Sequence, residues 1–413
     1  MAHVSRRWIL LGVGAAALAG AAWYYLTEDE SNGDVPDEPA DDSPNRFRDG
    51  AVSKSERRQQ QPHEQVDINA HVDAHFQSIQ AIARDTTVAT LLRPLAEHVK
   101  AMDDMEEIIG RLQRDKQSLT TAEKLALWQS VLERVLCRFV CAVWLVPALH
   151  LTIRVQLNVL GRTLYLQSSL TDRPKTSTEE RNRKRRDTLL SGRAQEAFLS
   201  LGEHLGAAGY LSMRDMVRET AAQAAGGIAT DLGSVGARTS VAHLRELLGG
   251  VLATFERECL EEDGWEAWQA VVAPSEERVR QQLDDAHLTP AERFEVEGMW
   301  RETLGMYRSE AFRRRYLGGC ARVLAAAMLR GVRVGDGEEG EEGEEGEEGE
   351  NGSDGNEDGV DATRVPLVTL LPVVAREIER AMDAHTEYYD LLCQEELLQA
   401  MSGQVYANGS IFR

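Results

Sequence analysis

The feature that most constrains this chain is a long apolar run from Leu132 to Ile153, in which almost every residue is hydrophobic. It leads directly into the sequence RVQLNVLG, where Arg154, Gln156 and Asn158 interrupt the apolar pattern. Buried polar groups are costly unless they are hydrogen-bonded. These three side chains therefore either satisfy one another inside a helical core or lie at the rim of a surface that another molecule covers.

Amphipathic stretches with helical periodicity follow one another from about Val66, and strand-like alternation and hairpin turn signals are few. The residues Thr120 to Glu123 resemble a capping box, and Thr289-Pro290 places proline where the first turn of a helix tolerates it. We predict an all-α fold, a single large bundle of long helices. The predicted helices cover roughly 66–84, 86–115, 120–167, 192–224, 239–263, 265–285, 289–307, 309–332, 364–389 and 393–406.

An uncharged stretch near the amino terminus, WILLGVGAAALAGAAWYYL at 8–26, is long enough to cross a membrane as a helix. At a rise of about 1.5 Å per residue it nearly spans the ~30 Å hydrocarbon core of a bilayer. Aromatic residues lie at both of its ends, where they suit the membrane–water interface. We predict one transmembrane helix, a membrane anchor over 1–27, to which Trp8, Leu11, Leu18, Trp23 and Tyr24 belong.

A cleaved secretory signal is the alternative interpretation, because ALA at 17–19 could serve as a cleavage motif. The length of the run and its aromatic far end favour the anchor. The orientation is open to two readings. Arg6 and Arg7 would stay in the cytosol under the positive-inside rule and move the large domain across the membrane, whereas sparse cysteines without a pairing pattern indicate a cytosolic domain.

Charge is distributed unevenly. Residues 28–65 are rich in charged and small polar residues and are predicted to form a flexible linker between the anchor and a helical domain over 66–413. The net charge is −22, but 335–360 contain thirteen acidic residues and no basic ones, which leaves −9 for the rest of the chain. We interpret 335–360 as a disordered acidic insertion. The short basic run at 181–186 is interpreted as a solvated loop, and nothing globally basic indicates nucleic-acid binding.

The cysteines are few, odd in number and embedded in helix-like sequence, which is typical of buried reduced thiols. Two of them are one helical turn apart, as are His71 and His75, which Asp67 precedes by one turn, but neither group has a further partner in the sequence at ligand spacing. We therefore predict no metal site and no cofactor. The five cysteines are Cys137, Cys141, Cys259, Cys320 and Cys393.

No motif for catalysis stands out: the sequence has no phosphate-binding loop and no nucleophile–histidine set in a recognisable context. We predict that the protein is not an enzyme and has no small-molecule substrate. Two neighbouring stripes do stand out on the helix over 120–167. One is the predicted core face, and the other places Lys124 and Trp128 beside Val131 and Val135. Such a stripe suits a groove that receives an amphipathic helix; alternatively, the helix is buried on both faces. The core face consists of Leu125, Leu132, Leu136, Phe139 and Val143.

The sequences KLALWQSVLERVL at 124–136 and RVQLNVLGRTLYL at 154–166 together resemble the peroxin-3 family of peroxisomal membrane biogenesis factors. Twenty-five residues separate Trp128 from Arg154, as in the family. Weaker similarity follows in the same order along almost the whole chain after residue 70. It appears in HFQSIQ (75–80), QEAFLSLGEHLG (195–206), RETLGMYRSEAFRRRYLGGCARVLAAAM (301–328), VPLVTLLPVV (365–374) and GQVY (403–406).

The resemblance implies a single-pass protein of the peroxisomal membrane whose helical domain faces the cytosol. In this family the domain docks peroxin-19, the soluble receptor that carries newly made peroxisomal membrane proteins, by gripping an amphipathic helix near its N-terminus. The expected partners are thus peroxin-19 and the membrane lipid. The family's groove positions would fall on Lys124, Leu127, Trp128, Val131, Asn158, Leu164 and Thr369. The last is a lysine in relatives, which puts a salt bridge at that edge in doubt.

On this expectation Asn158 lines the groove rim, while Arg154 and Gln156 tie neighbouring helices together inside the domain. Two other hypotheses remain open from the sequence. A secreted or lumenal enzyme held by a signal anchor would draw on Arg6 and Arg7, on the glycosylation sequons at Asn351 and Asn408, and on the His71/His75 pair. An organelle tether would act through the acidic insertion.

Overall fold

The structure, a computed structural model, describes residues 61–171, 190–231, 237–260, 265–333 and 364–407. The predicted membrane anchor over 1–27 and the predicted linker as far as residue 60 lie outside the described residues. The basic run at 181–186 and the acidic insertion at 335–360 lie outside them too. The predicted anchor residues Trp8, Leu11, Leu18, Trp23 and Tyr24 are among those outside.

Helices form nearly all of the described chain, so the prediction of an all-α fold is confirmed. The α-helices are α1 (Gln61–Ile82), α2 (Ala89–Ala101), α3 (Met105–Arg114), α4 (Thr121–Thr171), α5 (Gly192–Ser200), α6 (Tyr210–Asp231), α7 (Val241–Leu260), α8 (Trp265–Val272), α9 (Glu276–Asp285), α10 (Pro290–Arg308), α11 (Gly318–Gly331), α12 (Leu367–Ala381), α13 (Glu387–Gln394) and α14 (Glu396–Ala407). Segments of π-helix occupy Ala83–Val88, Leu205–Gly209 and Ala311–Leu317, and a 3-10 helical turn occupies Leu201–Glu203.

The prediction of one continuous helix over 120–167 is confirmed by α4, but four other predicted helices are divided. The helix predicted over 192–224 separates into α5 and α6, with Leu201–Glu203 and Leu205–Gly209 between them. The helix predicted over 86–115 breaks between α2 and α3, where the Asp103 carboxylate accepts a hydrogen bond from the backbone N–H of Met105. The helix predicted over 265–285 ends before Pro274, and Ser275 then caps α9 through the backbone N–H of Arg278. The stretch predicted over 364–389 divides between α12 and α13.

A short β-ladder among the described residues has no counterpart in the sequence-based predictions. Strand β1 (Arg238–Thr239) pairs antiparallel with β2 (Val365–Pro366), with Thr239 opposite Val365. The backbone N–H of Leu367 extends the contact by donating to the carbonyl of Ala237 at 3.0 Å. The ladder fixes the start of α12 to the segment that precedes α7.

Helix α4 is the axis of the bundle. Every residue from Val135 to Gly161 is buried, because α6, α10, α12 and α14 pack around it, along with several shorter helices. The segment Thr121–Ser169 is the one part of the described chain that is long and apolar enough to cross a membrane, and its most apolar window is entirely buried inside the protein. A helix that is apolar on all sides is expected at the centre of a large bundle, so α4 is a core helix.

Candidate functional site

The first turn of α4 is fixed by the predicted capping box. Glu123 accepts hydrogen bonds from the backbone N–H and the hydroxyl of Thr120, both at 2.7 Å, and the Glu123 N–H donates to that hydroxyl at 3.3 Å. The Thr120 hydroxyl contributes most to lowering the pKa of the Glu123 carboxyl below its usual value. A reciprocal cap of this kind satisfies donors that a helix start leaves unpaired. The side chains that follow are therefore presented from a defined helix.

The next two turns of α4 carry apolar side chains that the domain covers incompletely. Trp128 and Leu127 pack against the core and remain partly exposed. Leu125, predicted to lie on the core face, is 36% exposed, so that prediction is wrong. Lys124 is also partly exposed, and within the described residues it makes no ion pair. An indole, two leucines and an ammonium group thus share one uncovered helix end.

Further along α4 the side chains of the same stripe are buried. Val131 is 3% exposed, so the structure places this predicted groove residue in the core. The turn between α2 and α3 is pinned over α4 by two ion pairs, Arg134 with Asp104 at 2.6 Å and Arg138 with Asp103 at 2.5 Å. The exposed part of the stripe therefore ends about one turn after Trp128.

The prediction that Asn158 lines a groove rim is wrong. Asn158 is fully buried, its side-chain oxygen accepts from Nε2 of Gln80 at 2.9 Å, and its Nδ2 donates to the carbonyl of Arg154 at 2.7 Å. It also lies thirty residues after Trp128 on the same helix, about 45 Å along the axis. Both its position and its satisfied hydrogen bonds exclude it from a site around the tryptophan.

Leu164 is buried as well, at 7% exposed, and thus offers no surface to a partner in the free protein. Thr369 is exposed in the first turn of α12, where its hydroxyl donates to the carbonyl of Pro366 at 2.7 Å. Helix α12 packs directly against α4. Of the seven predicted positions, Lys124, Leu127 and Trp128 lie together at the end of α4, and Thr369 is exposed on a neighbouring helix.

A cleft begins where the stripe is covered, and the sequence analysis did not find it. Its volume is about 640 Å³. Val135 lies in its wall, one stripe position after Val131, together with Val99 and Met105 from α2 and α3 and with Ile378 and Met382 at the end of α12. The residues of α12 are more than two hundred positions away in sequence, so local periodicity could not bring them to this wall.

The interior role expected for Arg154 and Gln156 is confirmed. Arg154 is 1% exposed and donates from Nη1 to Oε1 of Gln80 at 2.6 Å, which joins α4 to α1. Gln156 donates from Nε2 to the carbonyl of Phe198 at 3.3 Å, which joins α4 to α5. A Cβ added to Gly202 would lie 1.8 Å from Oε1 of Gln156. Glycine at this position therefore allows the segment after α5 to pack closely against α4. The polar residues in the apolar run hold the core together.

The described cysteine thiols are buried, and the His71/His75 pair is partly buried. Cys137, Cys141, Cys320 and Cys393 are buried and unpaired by disulfides, as expected, whereas the side chain of Cys259 lies outside the description. His75 contacts the hydroxyl of Tyr406 through Nδ1 at 2.7 Å, and burial, aided by His71, lowers its pKa to about 4. Across the described ranges no three His, Cys, Asp or Glu side chains are grouped to hold a metal ion.

A family model described as Peroxin-3 matches residues 29–408. The chain belongs to the Peroxin-3 family. Two relatives are Peroxisome biogenesis protein 3-1 and Peroxisome biogenesis protein 3-2 of Arabidopsis thaliana, 37% and 36% identical to this chain over 102 residues.

That alignment covers 25% of this chain and 28% of each relative's length. Peroxin-3 is a family of peroxisome biogenesis factors and not a known enzyme family. Membership in this family indicates that the chain has a role in peroxisome biogenesis and that it is a peroxisomal membrane protein. The resemblance inferred from the two motifs of α4 is thereby confirmed, and within this Peroxin-3 chain the uncovered end of α4 is the candidate binding surface.

Proposed function

We propose that this protein is the membrane docking receptor for peroxin-19 carrying newly made peroxisomal membrane proteins, and that the first three turns of α4 bind the amphipathic N-terminal helix of peroxin-19. The large domain faces the cytosol, and the predicted N-terminal helix holds it to the peroxisomal membrane. The observation that carries the proposal is the partly exposed Trp128 at an uncovered helix end in a member of the Peroxin-3 family.

The physical basis is the unfinished burial of this surface. An amphipathic helix binds a groove by inserting apolar side chains at successive turns. Trp128, Leu127 and Leu125 supply apolar area that is still in contact with water. Tryptophan is among the residues that most often dominate an interface, and truncating such a residue typically costs about 2 kcal/mol or more. Lys124, which has no ion pair among the described residues, is free to meet a carboxylate on the incoming helix.

The test is a titration of the full-length protein with a fluorescent peptide of the peroxin-19 N-terminal helix. Trp128→Ala is expected to weaken binding at least about ten-fold, equivalent to about 1.4 kcal/mol, while circular dichroism shows an unchanged helical content. Phe294→Ala is the matched control, because Phe294 is an aromatic side chain 71% exposed on α10. The control is expected to bind with unchanged affinity.

Equal affinities for wild type and Trp128→Ala would refute the docking site. Equal losses in Trp128→Ala and Phe294→Ala would show that the peptide adheres to exposed aromatic side chains in general. The orientation is tested separately, by adding protease to sealed peroxisomes. Digestion of the helical domain is expected, and protection of the domain would reverse the topology.

A further inference from the structure

Lysine is rare in this chain, and in the described residues it is confined to one end of the bundle. The chain has six lysines and forty arginines. Three of the lysines, Lys100, Lys116 and Lys124, belong to the described residues. Elsewhere in those ranges every permanently charged cation is a guanidinium group. The lysines outside the described residues are Lys54, Lys175 and Lys184.

Lys124 and Lys116 lie at the docking end. Lys124 is one helical turn before Trp128 on α4, so their Cβ atoms are roughly 6 Å apart. Lys116 is exposed in the turn between α3 and α4, where the backbone N–H of Leu119 donates to the carbonyl of Asp115 at 3.0 Å. That turn leads directly into the capping box of α4. Both amines are therefore presented beside the candidate docking surface.

Lys100 lies at the same end, on the side of the cleft. Its carbonyl accepts a hydrogen bond from Nη2 of Arg138 at 2.6 Å, ten residues or about 15 Å along α4 from Trp128. Its ammonium group pairs with Glu379 at 3.6 Å, and both side chains are more than half exposed. The remaining length of α4, from Arg138 to Thr171, is about 50 Å. No described lysine lies beside that part of the helix.

Lysine and arginine differ in chemistry that needs a nucleophilic nitrogen. The amine of lysine accepts acyl groups, whereas a guanidinium group stays protonated and does not. When the amine attacks the carbonyl carbon of a thioester, the C–S bond breaks and an amide C–N bond forms. Of the three ammonium protons, one stays on the nitrogen, one leaves with the thiol and one passes to solvent. Acyl transfer to lysine in the described residues is therefore restricted to the docking end.

We propose that Lys124 is an acylation site that controls docking, so that acyl transfer to its amine and binding of the partner helix exclude each other. The acyl donor is a thioester, of the class that carries acetyl or ubiquitin. The inference rests on the proposed function of the docking surface and adds its regulation. Acylation removes the positive charge of Lys124 and places a new group one turn from Trp128. A bound helix in turn covers the amine.

The first test treats the full-length protein with sulfo-N-hydroxysuccinimide acetate, quenches the reagent and measures binding of the fluorescent peroxin-19 peptide. The affinity of the wild type is expected to fall by about two- to five-fold, the range for a partly exposed ion pair that loses one charge. In Lys124→Arg the affinities before and after treatment should be equal, because no amine remains at this position. Lys116→Arg is the matched control and should lose affinity on treatment as the wild type does. An equal loss in Lys124→Arg would overturn the inference.

The donor is distinguished by two further proteins, which carry either an acetyl group or ubiquitin on the amine of Lys124. Weaker peptide binding by both supports control by acetyl and ubiquitin thioesters alike. Weaker binding by the ubiquitin-linked protein alone assigns the ubiquitin thioester as the donor. Wild-type affinity in both proteins would overturn the inference.

The converse is tested by mass spectrometry of acetylation at Lys124 with and without saturating peptide. Bound peptide is expected to slow the acetylation. Unchanged acetylation, together with weaker binding by Trp128→Ala, would overturn this inference and leave the docking site standing. Slower acetylation, together with unchanged binding by Trp128→Ala, would remove the docking site around the indole and leave the control by Lys124.

Discussion

Two tryptophans on α4 show what decides whether an apolar side chain is buried in the core or left partly exposed. Trp144, in the middle of the helix, is 2% exposed, with the rings of Phe255 and Trp268 at 5.7 and 5.9 Å. Trp128, sixteen residues earlier on the same helix, remains partly exposed. The two residues are chemically identical and the helix is continuous. The difference lies in their neighbours, because α7 and α8 cover the middle and little covers the first turns.

The largest expected effect tests this contrast through stability. Trp144→Ala should lower the free energy of unfolding by about 3–5 kcal/mol, because it leaves a cavity in a closed core. Trp128→Ala should lower it by about 1–2 kcal/mol, since the side chain is only partly removed from water in the native state. Urea denaturation followed by circular dichroism measures both. Equal losses would mean that Trp128 is as much a part of the core as Trp144.

The second prediction concerns the hydrogen bonds that satisfy the middle of α4. Gln80→Leu removes the acceptor of Arg154 and the donor to Asn158 while keeping a buried side chain of similar size. Each buried polar group left unpaired costs about 1–3 kcal/mol, so we expect a loss of about 2–4 kcal/mol in the same urea experiment.

Gln129→Leu is the control at the other region, because Gln129 is exposed near the start of α4. It should change the free energy of unfolding by less than about 0.5 kcal/mol. If Gln129→Leu strongly lowered the free energy of unfolding and Gln80→Leu did not, the assignment of Gln80 to the core and Gln129 to the surface would be wrong.

The contrast also shows which features of the fold and the site could be predicted from the sequence. The periodicity of α4, its capping box, its buried thiols and the interior roles of Arg154 and Gln156 were predictable, because each depends on local pattern or on the cost of burying polar groups. The positions of Asn158 and Leu125 were not. Whether Asn158 is covered depends on Gln80, seventy-eight residues earlier, and whether Leu125 is covered depends on which other helices pack over the first turns of α4. Coverage is a property of distant packing, which residue spacing along one helix does not contain.

The third prediction concerns His150, a buried histidine in the middle of α4, and the effect of pH on stability. Burial lowers the pKa of His150 from 6.5 to about 3, with Arg154 contributing, and neither ring nitrogen has a hydrogen-bond partner. The unfolded chain therefore takes up a proton first as the pH falls below 6.5. Stability should decrease between pH 6.5 and 3 by about 1.4 kcal/mol per pH unit from this residue.

His150→Leu should remove that contribution and flatten the acid limb of a plot of unfolding free energy against pH. If His150→Leu keeps the wild-type slope, water reaches His150, and the middle of α4 is less closed than its packing indicates.

The smallest expected effect on stability is at the open end of α4. Leu125→Glu places a charge where the side chain is already 36% exposed, so the free energy of unfolding should change by less than about 0.5 kcal/mol. The same change should weaken binding of the peroxin-19 helix, because a carboxylate would be brought under an apolar partner face, where desolvating an unpaired charge is costly. If Leu125→Glu lowers the free energy of unfolding as much as Trp144→Ala does, Leu125 belongs to the core face after all. A variant that is stable but deficient in binding would show that the first turns of α4 fold without their partner and are left open for it.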